Sequence, residues 1–187
     1  MNYLIRPTLI MFLTAAVCVA ALSLVYSITL EPIRVAAAAL ANATMAEVLP
    51  EATDFNELET DLPANVNAIY EGSSDGNVVG YVVESWANGY GGALTLMVGI
   101  SSEDSAITGM SVLNHSESPG FSDPLNTERF NGQFEGLAVT VPVTLIKGGA
   151  LAANNEIDAM TGATISTTAV VDAVNHALNW YQGGSGR

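Results

Sequence analysis

The chain has 187 residues, and its 19 acidic residues outnumber five Lys or Arg, which gives a formal net charge of −14. This length suits one ordinary domain, alone or with a membrane anchor. Five cations are too few to form a basic face, so most nucleic-acid-binding roles are excluded. The single Cys excludes a disulfide framework and any Cys-rich metal site. Because the two His also lie far apart, we expect no bound metal.

The N-terminal region contains an uncharged apolar segment, Pro7–Leu30. As a helix it spans about 36 Å, enough to cross the hydrocarbon core of a membrane. Arg6 precedes the segment, whereas the charges of Glu31 and Arg34 after it cancel. The positive-inside rule therefore predicts that residues 1–6 are cytoplasmic and that the rest is periplasmic or otherwise extracytoplasmic. A cleaved signal peptide is the alternative, but its apolar core would have only about 7–15 residues, so we expect an uncleaved single-pass anchor in the lipid of the cell (inner) membrane.

The chain beyond residue 30 carries all 19 acids and four of the five cations. It is long enough to bury a hydrophobic core. We predict an Ala-rich helix and connector over 31–64, a folded domain over 65–182 and a flexible tail over 183–187. Within the connector, the acidic stretch Glu51–Ala64 is interpreted as a helix or a loop.

Short runs of β-branched and aromatic residues follow one another in the predicted domain, separated by Gly-, Asn- and Ser-rich turns. This pattern is typical of an antiparallel meander. The predicted strands are Val66–Tyr70, Val78–Ser85, Ala93–Ile100 and Ala106–Leu113. Further along the chain we predict a short helix over Leu125–Phe134, a strand over Leu137–Ile146 and an amphipathic helix over Thr167–Gln182. The fold class is therefore α+β, an antiparallel sheet with flanking helices after a transmembrane helix.

The segment Asp158–Thr164 stands directly before the last predicted helix. Its small residues let the backbone approach a ligand closely, and free N–H groups at a helix N-terminus attract a phosphate. The alternative is an ordinary N-cap, in which the hydroxyl of Thr161, Thr164, Ser166 or Thr167 satisfies those groups. Local physics alone favours the N-cap.

Three other segments contain glycine turns: Asn88–Gly92, His115–Gly120 and Lys147–Gly149. Taken singly, each is interpreted as an ordinary turn next to a strand. A backbone that must approach a flat ligand is the functional alternative for Asn88–Gly92.

Together and in this order, the segments resemble the FMN-binding domain family, which includes the covalently flavinylated subunits of the Rnf complex and of the sodium-pumping NADH:quinone oxidoreductase. The family pattern Asp-x-x-[Ser/Thr]-Gly-Ala-Thr is matched at every fixed position by Asp158–Thr164. Gly89–Gly92 matches a Gly-Tyr-Gly-Gly turn, and His115–Gly120 matches His-x-Glu-Thr-Pro-Gly with Ser118 in place of Thr. Phe121 and Ser122 depart from the usual Leu-Gly. Within this family, the resemblance is nearest to the G subunits of Rnf ion-translocating electron transport complexes.

The resemblance implies one covalent FMN per chain, esterified through its phosphate to Thr164 by a flavin transferase. It implies that Asp158 and Thr161 belong to the sequence that the transferase reads, and that Lys147 faces the phosphate charge or the edge of the ring. The flavin ring is then expected to lie among the other matched residues, which are Gly89, Tyr90, Gly91, Gly92, His115, Glu117, Ser118, Pro119, Gly120, Thr161, Gly162 and Ala163.

The function implied by this resemblance is electron transfer on FMN, as one subunit among the other membrane subunits of an ion-translocating ferredoxin:NAD oxidoreductase of the Rnf type. Such a subunit is a redox carrier without catalytic residues or substrate chemistry of its own. A stand-alone membrane-anchored flavoprotein reductase or extracytoplasmic electron shuttle is the alternative, and a flavin-free exported interaction domain is a third. The sequence specifies neither the coupled ion, Na⁺ or H⁺, nor the direction of electron flow.

Overall fold

A computed structural model describes residues 2–118, Leu125 and residues 127–185 of the chain. The chain divides into two units, Met1–Ala41 and Asn42–Arg187. Residues 2–41 of the first unit belong to α1, a helix that extends from Asn2 to Val48 and continues through Pro7 and Pro32. By length and composition, α1 could cross a membrane from Ile5 onward.

The second unit is built on a five-stranded antiparallel sheet in which each strand pairs with the next along the chain. Its strands are β1 (Asp54–Glu57), β2 (Val66–Ser74), β3 (Asn77–Asn88), β4 (Ala93–Ser101) and β5 (Ile107–His115). The predicted meander corresponds to β2–β5. Strand β1 lies within Glu51–Ala64, for which the sequence predicts a helix or a loop. Only Phe55 of its four side chains is partly buried, so β1 lacks the alternating apolar pattern that identifies a strand.

Helix α3 (Thr164–Trp180) packs mainly on β3 through its apolar side chains. Ser85 of β3 is fully buried, and its hydroxyl donates a hydrogen bond to the carbonyl oxygen of Ala173 at 2.8 Å. The helix begins three residues before the predicted start at Thr167. Its first two residues, Thr164 and Ile165, are exposed, so the apolar spacing that predicts the helix does not extend to them.

The residues that end α1 and follow it, Val48 and Leu49, are almost fully buried against β2–β5. Thr108 of β5 donates a hydrogen bond to the carbonyl oxygen of Val48. Glycines of the sheet make this close approach possible, because a Cβ at any of them would crowd Val48 or Leu49. These glycines are Gly72, Gly80, Gly99 and Gly109.

The chain between β5 and α3 contains little regular structure among its described residues. It forms α2 (Glu128–Asn131) and the parallel pair β6 (Thr144–Ile146) and β7 (Glu156–Asp158). The helix predicted over Leu125–Phe134 and the strand predicted over Leu137–Ile146 are therefore both shorter in the structure.

Side-chain amides replace strand pairing in this region. The Asn155 side chain donates to the carbonyl oxygens of Ala138 and Val141 and accepts from the Ala138 N–H, at 2.7 to 3.0 Å. Asn175 of α3 binds both the N–H and the carbonyl of Val143 in the same way, at 2.8 and 2.9 Å. These bonds satisfy backbone groups without a ladder, and those of Asn175 hold the segment against α3.

Candidate functional site

Thr164 is the first residue of α3, and its side chain is exposed. The N-cap is Ala163, and among the residues that the structure describes no side-chain hydrogen bond caps the helix. The hydroxyls of Thr167 and Thr168 instead donate to the carbonyl oxygens four residues before them, each at 2.8 Å. The ordinary N-cap favoured by local physics is therefore not formed, and the helix start is left suited to an anion.

The loop before α3 is fixed at two points. The carboxylate of Asp158 accepts a hydrogen bond from the N–H of Ala150 at 3.0 Å, and the N–H of Asp158 donates to the side chain of Gln133 at 2.8 Å. Gly162 has φ = 86°, a left-handed conformation that a side chain would strain, and this residue leads the chain into α3. The contacts of Asp158 hold residues 148–150 next to the loop that ends at Thr164.

Two cavities meet at Thr164. The first, of about 350 Å³, is lined by Tyr90, Glu117 and the residues from Gly162 to Ser166. Tyr90 and Ile165 present large exposed side chains to it, 77% and 55% exposed respectively. This cavity brings together three segments that are distant in sequence: the Gly-Tyr-Gly-Gly turn, the His-x-Glu segment and the start of α3.

The second cavity, of about 500 Å³, is polar and contains two cations. Lys147 lines it as the sequence predicts, together with Asp158, Thr161 and Thr164. Arg129 of α2 lines it as well, and this residue is not among those that the sequence motifs single out. The one available signal was its rarity, because Arg129 is one of only four cations in residues 31–187.

Glu117 holds the glycine turn in place. It is 8% exposed, and its Oε1 accepts hydrogen bonds from the backbone N–H groups of Tyr90 at 2.8 Å and Gly91 at 3.3 Å. A Cβ at Gly89 would collide with the Glu117 carboxylate, and a Cβ at Gly91 would collide with the carbonyl oxygen of Ser116. The protein's own chain thus accounts for these glycines, whereas a close approach of Gly89, Gly91 and Gly92 to a ligand stays a prediction.

The other predicted site residues lie outside the two cavities or outside the described part of the chain. His115 is half-buried at the end of β5, and its buried Nδ1 has no hydrogen-bond partner among the described residues. Ser118 is exposed, and Pro119 and Gly120 are not among the described residues. The second histidine, His176, lies on α3 and outside both cavities. It is half-buried, and its ring contacts Asn65 and the carbonyl oxygen of Trp86, each at 3.2 Å.

Comparison with known proteins identifies relatives along nearly the whole chain. The FMN-binding domain family matches residues 89–179. The G subunit of the ion-translocating oxidoreductase complex of Methanosarcina acetivorans is 41% identical over 175 residues, which cover 91% of this chain and 90% of that protein. The G subunit of the Na⁺-translocating ferredoxin:NAD⁺ oxidoreductase complex of Acetobacterium woodii is 33% identical over 187 residues, covering 93% and 89% respectively.

Solved structures agree with the fold. The crystal structure of Shewanella oneidensis NqrC has a TM-score of 0.56 at 21% identity, and the match covers 71% of this chain and 69% of that one. The C subunit of the Na⁺-translocating NADH-quinone reductase from Parabacteroides distasonis has a TM-score of 0.53 at 21% identity, covering 62% and 60%. These likenesses confirm the α+β fold class. The identities to the curated relatives show that the chain belongs to the family of G subunits of ion-translocating oxidoreductase complexes and that its folded part is an FMN-binding domain.

Proposed function

We propose that this protein carries FMN joined through its phosphate to the Thr164 hydroxyl and passes electrons within a membrane-bound, ion-translocating redox complex. The observation that carries the proposal is the position of Thr164. Its exposed side chain stands at the uncapped start of α3, where a cavity rimmed by Tyr90 and Ile165 meets a cavity containing Arg129 and Lys147. When bound, FMN supplies reversible uptake and release of electrons.

The residues present fit such a group. An FMN ester has a flat aromatic ring with apolar faces at one end and a charged phosphodiester at the other. The two cavities, of about 350 and 500 Å³, fall in the size range of ordinary ligand sites. Their linings match the two ends of the ester, since the first presents the large side chains of Tyr90 and Ile165 and the second presents two cations. The N–H groups of the first turn of α3, which no side chain in the described part of the chain caps, are suitable donors to phosphate oxygens.

Several residues of the site act by positioning others. Glu117 fixes the turn that carries Tyr90, and Asp158 fixes the loop that carries Lys147 next to Thr164. Because hydrogen bonds and charges near a flavin ring set its potential, the Glu117 carboxylate in the wall of the first cavity is the strongest candidate for tuning it. Covalent attachment keeps the effective concentration of the cofactor permanently high in a compartment without a supply of free FMN.

The membrane topology is part of the proposal. We place residues 1–6 in the cytoplasm, α1 uncleaved in the lipid, and the FMN-binding domain on the other side of the cell membrane, where a flavin transferase loads it. The distribution of Arg6, Glu31 and Arg34 around the apolar segment supports this orientation. The other membrane subunits of the complex are the proposed electron donor and acceptor.

A stand-alone reductase is the weaker candidate. The relatives at 41% and 33% identity are named as subunits of complexes, and the matches cover 90% and 89% of those proteins. This chain therefore does not differ from those subunits by an added substrate domain.

Purification of the full chain from its native membrane in mild detergent tests the proposal. We expect multi-span membrane subunits to co-purify, and flavin fluorescence to remain on this chain after denaturing electrophoresis. A chain that purifies alone would contradict membership in a complex. A chain that loses all flavin on denaturation would contradict the covalent link.

A further inference from the structure

Arg129 lies on the four-residue surface helix α2, and its side chain lines a cavity together with Thr164. Arg129 and Lys147 come from segments 18 residues apart, yet both line the 500 Å³ cavity that ends at Thr164. Arg129 also lines a third cavity, of about 450 Å³, with Gln133, Asp158 and Thr161. The Arg129 side chain therefore lines both of these cavities, and Tyr90 lines neither.

The charge distribution makes this placement informative. Residues 31–187 contain 19 acids and four cations, and two of these cations line the cavity that Thr164 also lines. Among the described residues, neither Arg129 nor Lys147 forms a salt bridge. The carboxylate in the same cavity, Asp158, accepts a hydrogen bond from the N–H of Ala150. Two cations without carboxylate partners, facing one cavity of an acidic domain, are suited to an anion that the folded chain itself does not supply.

We propose that Arg129 is a phosphate-binding residue and forms with Lys147 a cationic wall on one side of Thr164. This inference rests on the proposed function, which it makes more specific. The phosphodiester lies on the Arg129–Lys147 side of Thr164, and the flavin ring lies on the Tyr90–Ile165 side. Arg129 is the better phosphate ligand of the two, because its planar guanidinium can donate two parallel hydrogen bonds to phosphate oxygens.

The test uses a full-length chain with Thr164→Ala in detergent micelles, so that free flavins can be titrated without a covalent link. FMN and riboflavin share the ring and the ribityl chain, and only FMN has a phosphate. We expect this parent variant to bind FMN more tightly than riboflavin, as measured by quenching of flavin fluorescence. Adding Arg129→Gln should weaken FMN binding about tenfold, the usual effect of losing one charge-assisted hydrogen bond, and should leave riboflavin binding unchanged.

Two further variants serve as controls. Arg129→Lys keeps the charge and should restore part of the preference for FMN. Arg34→Gln removes a cation that lines neither cavity and should change neither affinity. Because Arg129 is exposed, its replacement should not unfold the domain, and equal thermal midpoints of the variants would check this.

The proposal is overturned if Arg129→Gln leaves FMN binding unchanged, or if it weakens FMN and riboflavin equally. It is also overturned if the parent variant does not prefer FMN to riboflavin or binds neither. The proposed function is judged separately, by covalent flavin on the wild-type chain. If the wild-type chain carries covalent flavin but the parent variant binds FMN and riboflavin equally, only the role of Arg129 is rejected and the proposed function stands.

Discussion

The Oε1 atom of Glu117 lies 2.8 Å from the backbone nitrogen of Tyr90 and accepts its hydrogen bond, so a carboxylate on one segment of the site holds the backbone that carries an aromatic side chain on another. Both residues line the cavity next to Thr164. The conformation of the glycine turn and the shape of this cavity therefore depend on the same carboxylate.

Glu117→Ala should destabilise the domain by about 2 kcal/mol, because it removes a buried charged acceptor from two backbone N–H groups. Glu117→Gln keeps an acceptor oxygen and should cost less than half of that. Chemical denaturation measures both values, and hydrogen exchange should show faster exchange of the Tyr90 and Gly91 amides in the Ala variant. Unchanged exchange at these two amides would contradict the role assigned to Glu117.

Gly99→Ala should destabilise the domain strongly, by about 2–3 kcal/mol, through overpacking. The added methyl would meet the backbone of Val48 and the hydroxyl of Thr108, and backbone atoms move less easily than the end of a flexible side chain. Gly109→Ala is the matched comparison. Its Cβ would lie 3.1 Å from the Cα of Val48, so a smaller loss is expected. Equal denaturation midpoints for the two variants would show that the end of α1 does not pack on the sheet this closely.

The pH dependence of stability should show a contribution from Tyr81. Burial raises the pKa of the Tyr81 hydroxyl above its ordinary value, and the nearby Glu71 carboxylate raises it further. The folded state therefore holds this proton more tightly than the unfolded state, and its stabilising contribution is complete below about pH 10 and declines as the pH rises above that value.

Tyr81→Phe isolates this contribution, because it keeps the ring that contacts Trp180 edge-on at 5.6 Å. The free energy of unfolding should fall less between pH 9.5 and 11 in the variant than in the wild type. An identical fall in both proteins would mean that Tyr81 does not titrate differently in the folded state.

The sequence predicts the parts of this fold whose pattern is local. Strands β2–β5 alternate or carry β-branched runs, and α3 has apolar spacing, so both were predictable with small errors at their ends. The segment between β5 and α3 was predictable only in part, because the amides of Asn155 and Asn175 hold it by contacts with residues 14 to 32 positions away. Contacts between residues so far apart leave no periodic pattern in the sequence from which they could be predicted.

The candidate site was likewise predictable from the sequence only in part. Its motifs were visible because they resemble a family, and the structure brings Tyr90, Glu117 and Thr164 to one cavity. The structural reason for Gly89 and Gly91 was not visible, since it lies in the backbone and carboxylate of residues 116 and 117. Arg129 was missed because α2 has no motif, and its proximity to Thr164 exists only in the folded chain.

Thr164→Ala should abolish covalent flavin and leave the fold intact. The side chain is exposed at the first position of α3 and does not cap the helix, so its removal should change the unfolding free energy by no more than about 0.5 kcal/mol. Thr164→Ser keeps a hydroxyl at the same place and should retain part of the loading. Thr168→Ala is the matched control, because it removes another exposed threonine of α3 and should load fully.

Each variant is coexpressed with a flavin transferase, and in-gel fluorescence is recorded after denaturation. Peptide mass analysis then covers residues 158–166, where the wild type should carry one FMN less one water and Thr164→Ala none. Fluorescence that persists in Thr164→Ala would move the acceptor to another hydroxyl. Thr161 would then be the first to examine, because it is exposed in the cavity that contains Arg129 and Lys147, whereas Ser166 is only 2% exposed. A wild-type chain that never fluoresces under these conditions would reject the covalent link itself.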